Sequence, residues 1–445
     1  MLGGNLYDMG HDAMCADDGN IIVIGAVTNQ GENAADVYLS KLNPEGEILW
    51  EKSFGTNYED GGNEIISNHN GYYFVAGHVD RTGSSLCDAL FFLINENGDT
   101  LWTRSFGNDE DDAGYGCVLA DDGGFISIGK FEEGGNSNGF IAKHNIDGDL
   151  VWSQIYGNEK MDYFTSIINT ETEYLIGGKK TFLNNSDFWL MKINESGEIL
   201  WEETYDNGLQ DLAYDVEEDA DGGFLLAGKI EGETSGSSQV YLVKTDINGL
   251  NIWEAKYGNN FGDMATSVVY DNGKWMVTGT FYNLNNHSQD IGLMQLNNNG
   301  EIEWIKYFGD AFNDTGRRIH LNAEGGWLIC GTAETPTPGN QDIYLVKTNM
   351  EGEVASSLNN QNTGVALSVN PNPFIDKAIF TCTNTGDDLQ FSLVDINGKQ
   401  IINIPAINSQ VFEVDTKMLT AGIYFYLFKD SSSNRFNTGK LIVNK

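Results

Sequence analysis

The chain has 445 residues, 40% hydrophobic and 20% charged, with 53 Gly against 6 Pro, which excludes disorder and collagen and is too long for one ordinary core unless repeats extend it. Of its 65 acidic and 25 basic side chains, 7 of each lie in residues 361–445, so residues 1–360 carry 58 acids against 18 bases and nearly all of the net charge of −40. Such a surface repels phosphate backbones and anionic headgroups, which excludes nucleic-acid and direct membrane-surface binding, leaves cations, glycans and basic partners open, and keeps an extracellular protein soluble.

From the start of the chain, MLGGNLYDMG carries neither the basic nor the apolar region of a signal peptide. Three patterns then recur with a period of 49 to 52 residues. An Asp precedes a strand-like run at Asp8, Asp60, Asp112, Asp162, Asp211, Asp263 and Asp314. A turn and an apolar strand ending in Gly follow, at Gly25, Gly77, Gly129, Gly178, Gly228, Gly279 and Gly331. Last comes a hairpin with a tight Gly turn whose second strand carries Trp50, Trp102, Trp152, Trp201, Trp253 or Trp304. Each unit thus predicts four short strands rich in Val, Ile, Tyr, Phe and Trp, divided by Asn/Asp/Gly turns. The fold class expected is all-β: a β-propeller of seven four-stranded blades over residues 1–354, closed into a ring so that no edge is left open, rather than an open solenoid.

The Trp strand occurs six times, and where a seventh is expected Ser356 stands in the Trp position. Leu2-Gly3-Gly4 aligns with Phe54-Gly55, so residues preceding Met1 are expected to supply a closing strand and a signal peptide. The Trp hairpin resembles the tryptophan-docking repeat of quinoprotein-type propellers, which implies indoles such as Trp201 and Trp253 lying flat against the next blade. The cysteine pair, cofactor lysine and calcium constellation of quinoprotein dehydrogenases are absent, so the resemblance implies scaffold alone.

After Val354 the repeat gives way to a polar linker, residues 355–366, and then to alternating runs over residues 367–445 that predict a small immunoglobulin-like β-sandwich. Three patterns in that tail are Asn370-Pro371-Asn372-Pro373-Phe374, the run from Leu393 through Asp395 to Gly398-Lys399, and Leu419-Thr420-Ala421-Gly422-Ile423-Tyr424 followed by Gly439-Lys440 and Val443 to the terminal Lys445. Together they resemble the type A C-terminal sorting domain of the type IX secretion system, with Thr420 where that family more often has Pro. The resemblance implies a Bacteroidota source, export as secreted or surface-attached cargo, type IX machinery as the partner of residues 367–445, and cleavage within about residues 355–368.

No catalytic pattern occurs. The histidines His11, His69, His78, His144, His287 and His320 fall at different repeat registers, the cysteines Cys15, Cys87, Cys117, Cys330 and Cys382 include no C-x-x-C pair, and no cofactor is implied. The candidate binding residues are the sevenfold Asp, whose carboxylates would offer a calcium-binding ring if they faced a central channel; alternatively each caps a turn by accepting backbone N–H groups. Four insertions, Asp80–Cys87, Glu231–Ser238, Tyr282–Ser288 and Glu334–Gly339, all fall between second and third strands, which predicts a functional face at one end of the ring. The expected function is a binding module for a glycan or protein ligand. The alternative is a polysaccharide lyase or glycosidase, which requires paired carboxylates or a His/Tyr/Arg cluster converging in the channel.

Overall fold

The computed structural model describes the chain apart from residues 1, 4–5, 29–33, 159, 171–172, 184, 209, 232–236, 260, 336–339, 355–366, 371–376, 383–388, 396–398, 405, 408, 410, 416–418, 421, 431–434 and 444–445. Two compact units divide at Val354; the expected linker lies outside the described residues. In the first unit, each repeat forms one antiparallel sheet whose strands pair in sequence order, as in Asp8–Cys15, Ile21–Thr28, Ala35–Leu42 and Ile48–Phe54. Among the described residues there are six four-stranded sheets followed by one of three strands. The first strands, Asp8–Cys15, Asp60–Ser67, Ala113–Leu119, Tyr163–Thr170, Asp211–Glu218, Met264–Asp271 and Asp314–Leu321, contact one another in order, and the last also contacts the first. This radial arrangement of twisted sheets around a central channel is that of a β-propeller.

The apolar residues of the second and third strands fill the seams. One seam packs Ile24, Val37 and Leu39 against Ile65, Val75 and Phe92, and the others repeat it with equivalent residues. The tryptophans set the outer register. A Cβ placed on Gly249, whose φ is +79°, would lie 2.8 Å from Trp201, and equally close contacts, 2.6 to 2.8 Å, arise for Gly98 beneath Trp50, Gly148 beneath Trp102 and Gly352 beneath Trp304. The hairpin glycine is therefore required twice, for its left-handed backbone and for the indole that the preceding sheet lays on it.

The seven glycines expected to end the second strands do not end them. Gly25 lies within Ile21–Thr28, and the other strands likewise run on past theirs. Each sits opposite an irregularity in the first strand, where a Cβ would strike a carbonyl oxygen of that strand: Met9 beside Gly25, Leu212 beside Gly228. That irregularity recurs in all seven sheets as a β-bulge that leaves one residue unpaired.

Between the last sheet and the first, Leu2 exchanges two backbone hydrogen bonds of 2.9 Å with Ile343. Leu2 thus takes the register that Phe54 holds on Val37 in the first sheet. The second unit has a three-stranded sheet and a four-stranded one that share a core around Phe380, Phe391, Val414, Tyr426 and Phe428. Within it, Tyr424 is buried, and its hydroxyl accepts the Thr420 N–H at 2.9 Å, an amide that a proline there would lack.

Candidate functional site

The seven repeat aspartates are buried and turned toward the loops before their strands. In Asp112, one carboxylate oxygen accepts the N–H of Asn108 at 2.7 Å and the other that of Glu132 at 2.7 Å. Asp162 does the same with Asn158 and Thr181, and Asp263 with Asn259 and Tyr282. They join the loop before the first strand to the end of the second. Two backbone N–H groups thus engage each of these three carboxylates, which is the turn-capping arrangement, and among the described residues no group of three or more His, Cys, Asp or Glu is placed to hold a metal ion. Burial pushes Asp112 up to about 6 and Asp314 up to about 7, as expected of carboxylates held in dry turns.

What does converge on the channel is the bulged residue of each first strand. In chain order these are His11, Asn63, Tyr115, Thr165, Tyr214, Thr266 and Arg317, and with Tyr163, Met9, Leu212 and Arg318 they line an opening of about 430 Å³. Four of the seven hold the ring together by donating to a backbone carbonyl of the next sheet: His11 Nδ1 to Gly62 at 2.7 Å, Asn63 to Gly114 at 2.8 Å, Thr165 to Ala213 at 2.8 Å and Thr266 to Gly316 at 3.0 Å. With Nδ1 carrying that proton, and with burial and the nearby Arg317 pushing its pKa down to about 4, His11 is neutral at pH 7. Tyr115, Tyr214 and Arg317 make no such bond among the described residues, and neither does the hydroxyl of Tyr163. The Tyr115 and Tyr163 rings meet edge to face, 6.1 Å apart, and the Lys179 ammonium lies 5.7 Å from the Tyr163 ring centre. Burial raises both phenols, so both keep their protons.

The next residue along each strand builds a floor. Arg318 reaches across the channel to Glu64 and to Asp215, 2.9 Å away, and is itself largely shielded from solvent. Asp215 also accepts the hydroxyls of Ser166 at 2.7 Å and Ser267 at 2.8 Å and the Val268 N–H at 3.0 Å; Glu64 accepts the Cys117 N–H at 2.7 Å. Beside them His320 Nε2 lies 2.8 Å from Asp12. Burial pushes Glu64 up to about 7 against the pull of Arg318; burial would also raise Asp12, but His320 and Arg318 prevail and hold it below the ordinary value. Every charge on this floor has a partner.

The four insertions join second to third strands. In antiparallel sheets these connections lie at the end where the first strands begin, which is the end where the lined opening sits. In the first of them, Asp80 accepts the N–H groups of Thr82 at 2.9 Å, Gly83 at 2.8 Å and Ser85 at 2.9 Å, so the loop carries its own internal cap. Residues 232–236 and 336–339 of two others lie outside the described residues. So do Pro371, Asn372, Pro373, Gly398 and Lys445 of the sorting motifs, whereas Asn370, Asp395, Gly422, Tyr424, Gly439, Lys440 and Val443 fall within strands of the tail and Lys399 just before one.

Residues 368–444 match the family described as a secretion system C-terminal sorting domain. Residues 271–303 match a beta-propeller domain of unknown function, DUF5122. The chain is a type IX secretion cargo carrying a β-propeller. The tail implies export to the medium or the cell surface, and among the described residues no helix is long and apolar enough to cross a membrane. No curated protein matches the cargo in sequence. Similar solved structures include the acylaminoacyl peptidase of Pyrococcus horikoshii, at 12% identity and TM-score 0.44, covering 84% of this chain and 57% of that one. Others are puromycin hydrolase, at 12% and 0.50, covering 85% and 59%, and the β-propeller domain of the Trilobed protease from Pyrococcus furiosus, at 11% and 0.45, covering 78% and 94%. The cargo therefore spans less than two thirds of the two hydrolases, and at these identities the likeness extends to the fold alone.

The sequence contained a signal for the channel opening that the Asp ring obscured. At the register three residues after each repeat Asp, the residue type changes from each repeat to the next, from His11 through Tyr115 to Arg317, while the residue before it is Gly or Ala in every repeat but the one with Phe164. A site that departs from repeat symmetry is found by such variation, not by invariance.

Proposed function

We propose that this cargo is a closed seven-bladed propeller, followed by an immunoglobulin-like sorting sandwich, that acts outside the cell as a carbohydrate-binding module at the loop-bearing mouth of its channel. The observation that carries the proposal is the opening of about 430 Å³, lined by Tyr115, Tyr163 and Tyr214, whose hydroxyls bond no other group among the described residues. It lies within the ~300–1,000 Å³ typical of small-molecule sites, and aromatic walls with a few free polar groups suit sugar rings, which present an apolar face and a rim of hydroxyls. The insertion loops at the same end supply a rim for a longer chain.

A glycan array probed with the full chain tests this. Saturable binding that is lost in a Tyr163→Ala/Tyr214→Ala double variant of unchanged melting temperature supports it, and uniform absence of glycan binding overturns it. The enzymatic alternative draws on the same opening, because His11, the tyrosines and Arg317 form the kind of cluster that a polysaccharide lyase requires. Against it, the Tyr115 and Tyr163 phenols are raised rather than lowered, His11 Nδ1 is committed to Gly62, and Glu64 and Asp215 are locked to Arg318. A lyase or glycosidase would shorten a bound oligosaccharide on incubation; a binding module returns it intact.

A further inference from the structure

The distribution of cations goes further than the shape of the opening. Residues 1–354 contain eighteen Lys and Arg side chains, which is few for a surface so rich in carboxylates, and nearly all are engaged. Among the described residues, Lys160, Lys179, Lys256 and Arg317 are the four that form no ion pair. Two of these four are at one place: Arg317 lines the channel mouth and Lys179 lies over Tyr163, which lines it too.

The residues that line the mouth include no acid, although Glu231 and Asp162 lie near Lys179. The bulged ring, His11 to Arg317, contains no carboxylate, and neither does the ring formed by the residues after each repeat Asp: Met9, Gly61, Ala113, Tyr163, Leu212, Met264 and Thr315. Arg318 directly below is neutralised by Glu64 and Asp215. Arg317 is consequently an exposed guanidinium with its donors unused, in a protein where carboxylates outnumber cations about threefold elsewhere. A guanidinium presents a fork that matches a carboxylate with two parallel hydrogen bonds.

We infer that the channel mouth selects a saccharide bearing a carboxylate, a uronic acid residue, with Arg317 as the carboxylate receptor, Lys179 as a second positive charge and Tyr115, Tyr163 and Tyr214 as the walls that hold the ring. The inference rests on the carbohydrate-binding proposal and deepens it. The strongly acidic exterior disfavours a polyanion lying along the surface, so the ligand is an otherwise neutral oligosaccharide that ends in a single uronic acid, and the charged unit is the one that enters the channel.

The experiment is isothermal titration of the full chain with three probes: a xylo-oligosaccharide carrying one glucuronic acid, the neutral xylo-oligosaccharide of the same length, and an oligoglutamate peptide. The expected result is that the glucuronylated sugar binds about tenfold or more tightly than the neutral one, and that Arg317→Gln brings the two affinities together with the melting temperature unchanged. Equal affinity for the two sugars, or a preference that survives Arg317→Gln, overturns the inference and leaves the carbohydrate-binding proposal standing. Binding of the peptide with neither sugar bound overturns both and identifies a protein ligand. Binding of none of the three overturns the inference, and the glycan array then decides the broader proposal separately.

Discussion

The mouth and the floor of the channel are built from adjacent residues of the same seven strands, yet they are in opposite states. On the floor, Arg318, Glu64, Asp215, Asp12 and His320 satisfy one another across the ring, and Ser166 and Ser267 complete the set. One residue earlier along each strand, Tyr115, Tyr214 and Arg317 line the opening with no hydrogen bond from their polar ends among the described residues, while four neighbours bond the next sheet. The β-bulge separates the two by turning consecutive side chains toward the same channel, where a regular strand would send them to opposite faces. A repeat protein can in this way hold its ring closed with one register and keep the adjacent one available for a ligand.

The comparison breaks most visibly if Arg318 is removed. Arg318→Ala leaves Glu64 and Asp215 facing each other in a dry channel, and the expected loss is about 3–5 kcal/mol in a denaturant titration of the full chain. Converting both acids as well, with Glu64→Gln and Asp215→Asn, should recover part of that loss, since the cost lies in uncompensated charge. If Arg318→Ala is neutral, the floor is wet and its charges do not hold the ring. Within the mouth itself, Asn63→Ala removes one inter-sheet bond and strands the Gly114 carbonyl, with an expected loss of about 1 kcal/mol.

A smaller effect is expected in the pH dependence. Burial and the neighbouring Asp215 push Glu217, below the floor, up to about 8. Its folded pKa therefore lies above its unfolded one, the folded state holds the extra proton, and stability falls as pH rises from about 4.5 toward 8. His320, raised chiefly by Asp12 against the opposing effect of burial, contributes in the same direction: its stabilisation is complete below the unfolded value and is lost as pH rises through the folded one. The melting temperature should thus be higher at pH 5 than at pH 8, and Glu217→Gln should narrow that gap by a few degrees or less. An unchanged gap in the variant would mean that Glu217 is solvated.

The strand order, the seven repeats and the tail were legible because each rests on local patterning: period-two alternation, Asn/Asp/Gly turns and the Trp register. The docking of Trp201 on the next sheet, where it meets Gly249, was implied by the resemblance of the hairpin to the tryptophan-docking repeat. The second-strand glycines were misread as strand ends, since nothing local distinguishes a glycine that ends a strand from one that makes room for a bulge in the neighbouring strand. The Asp ring offered a symmetric candidate, and symmetry is what a structural cap shows. The channel set escaped because its members share no chemistry. His11, Tyr115 and Arg317 become one site only when the ring brings together positions about one hundred to three hundred residues apart, and Arg318, Glu64 and Asp215 meet across a channel that no pattern within one repeat can describe.

The smallest expected change in stability tests the functional side of the comparison most directly. Among the described residues, the Tyr214 hydroxyl bonds nothing and the Arg317 charge pairs with nothing, so Tyr214→Phe and Arg317→Gln should each alter stability by no more than ~0.5 kcal/mol. Asn63→Ala, on the same ring, should not be silent. If Tyr214→Phe and Arg317→Gln weaken saccharide binding while the melting curve stays in place, the mouth is a site kept apart from the work of closing the ring. If instead they lower stability as much as Asn63→Ala does, then all seven bulged residues are latches, the difference between mouth and floor is one of depth only, and the ligand must be sought on the insertion loops around the rim.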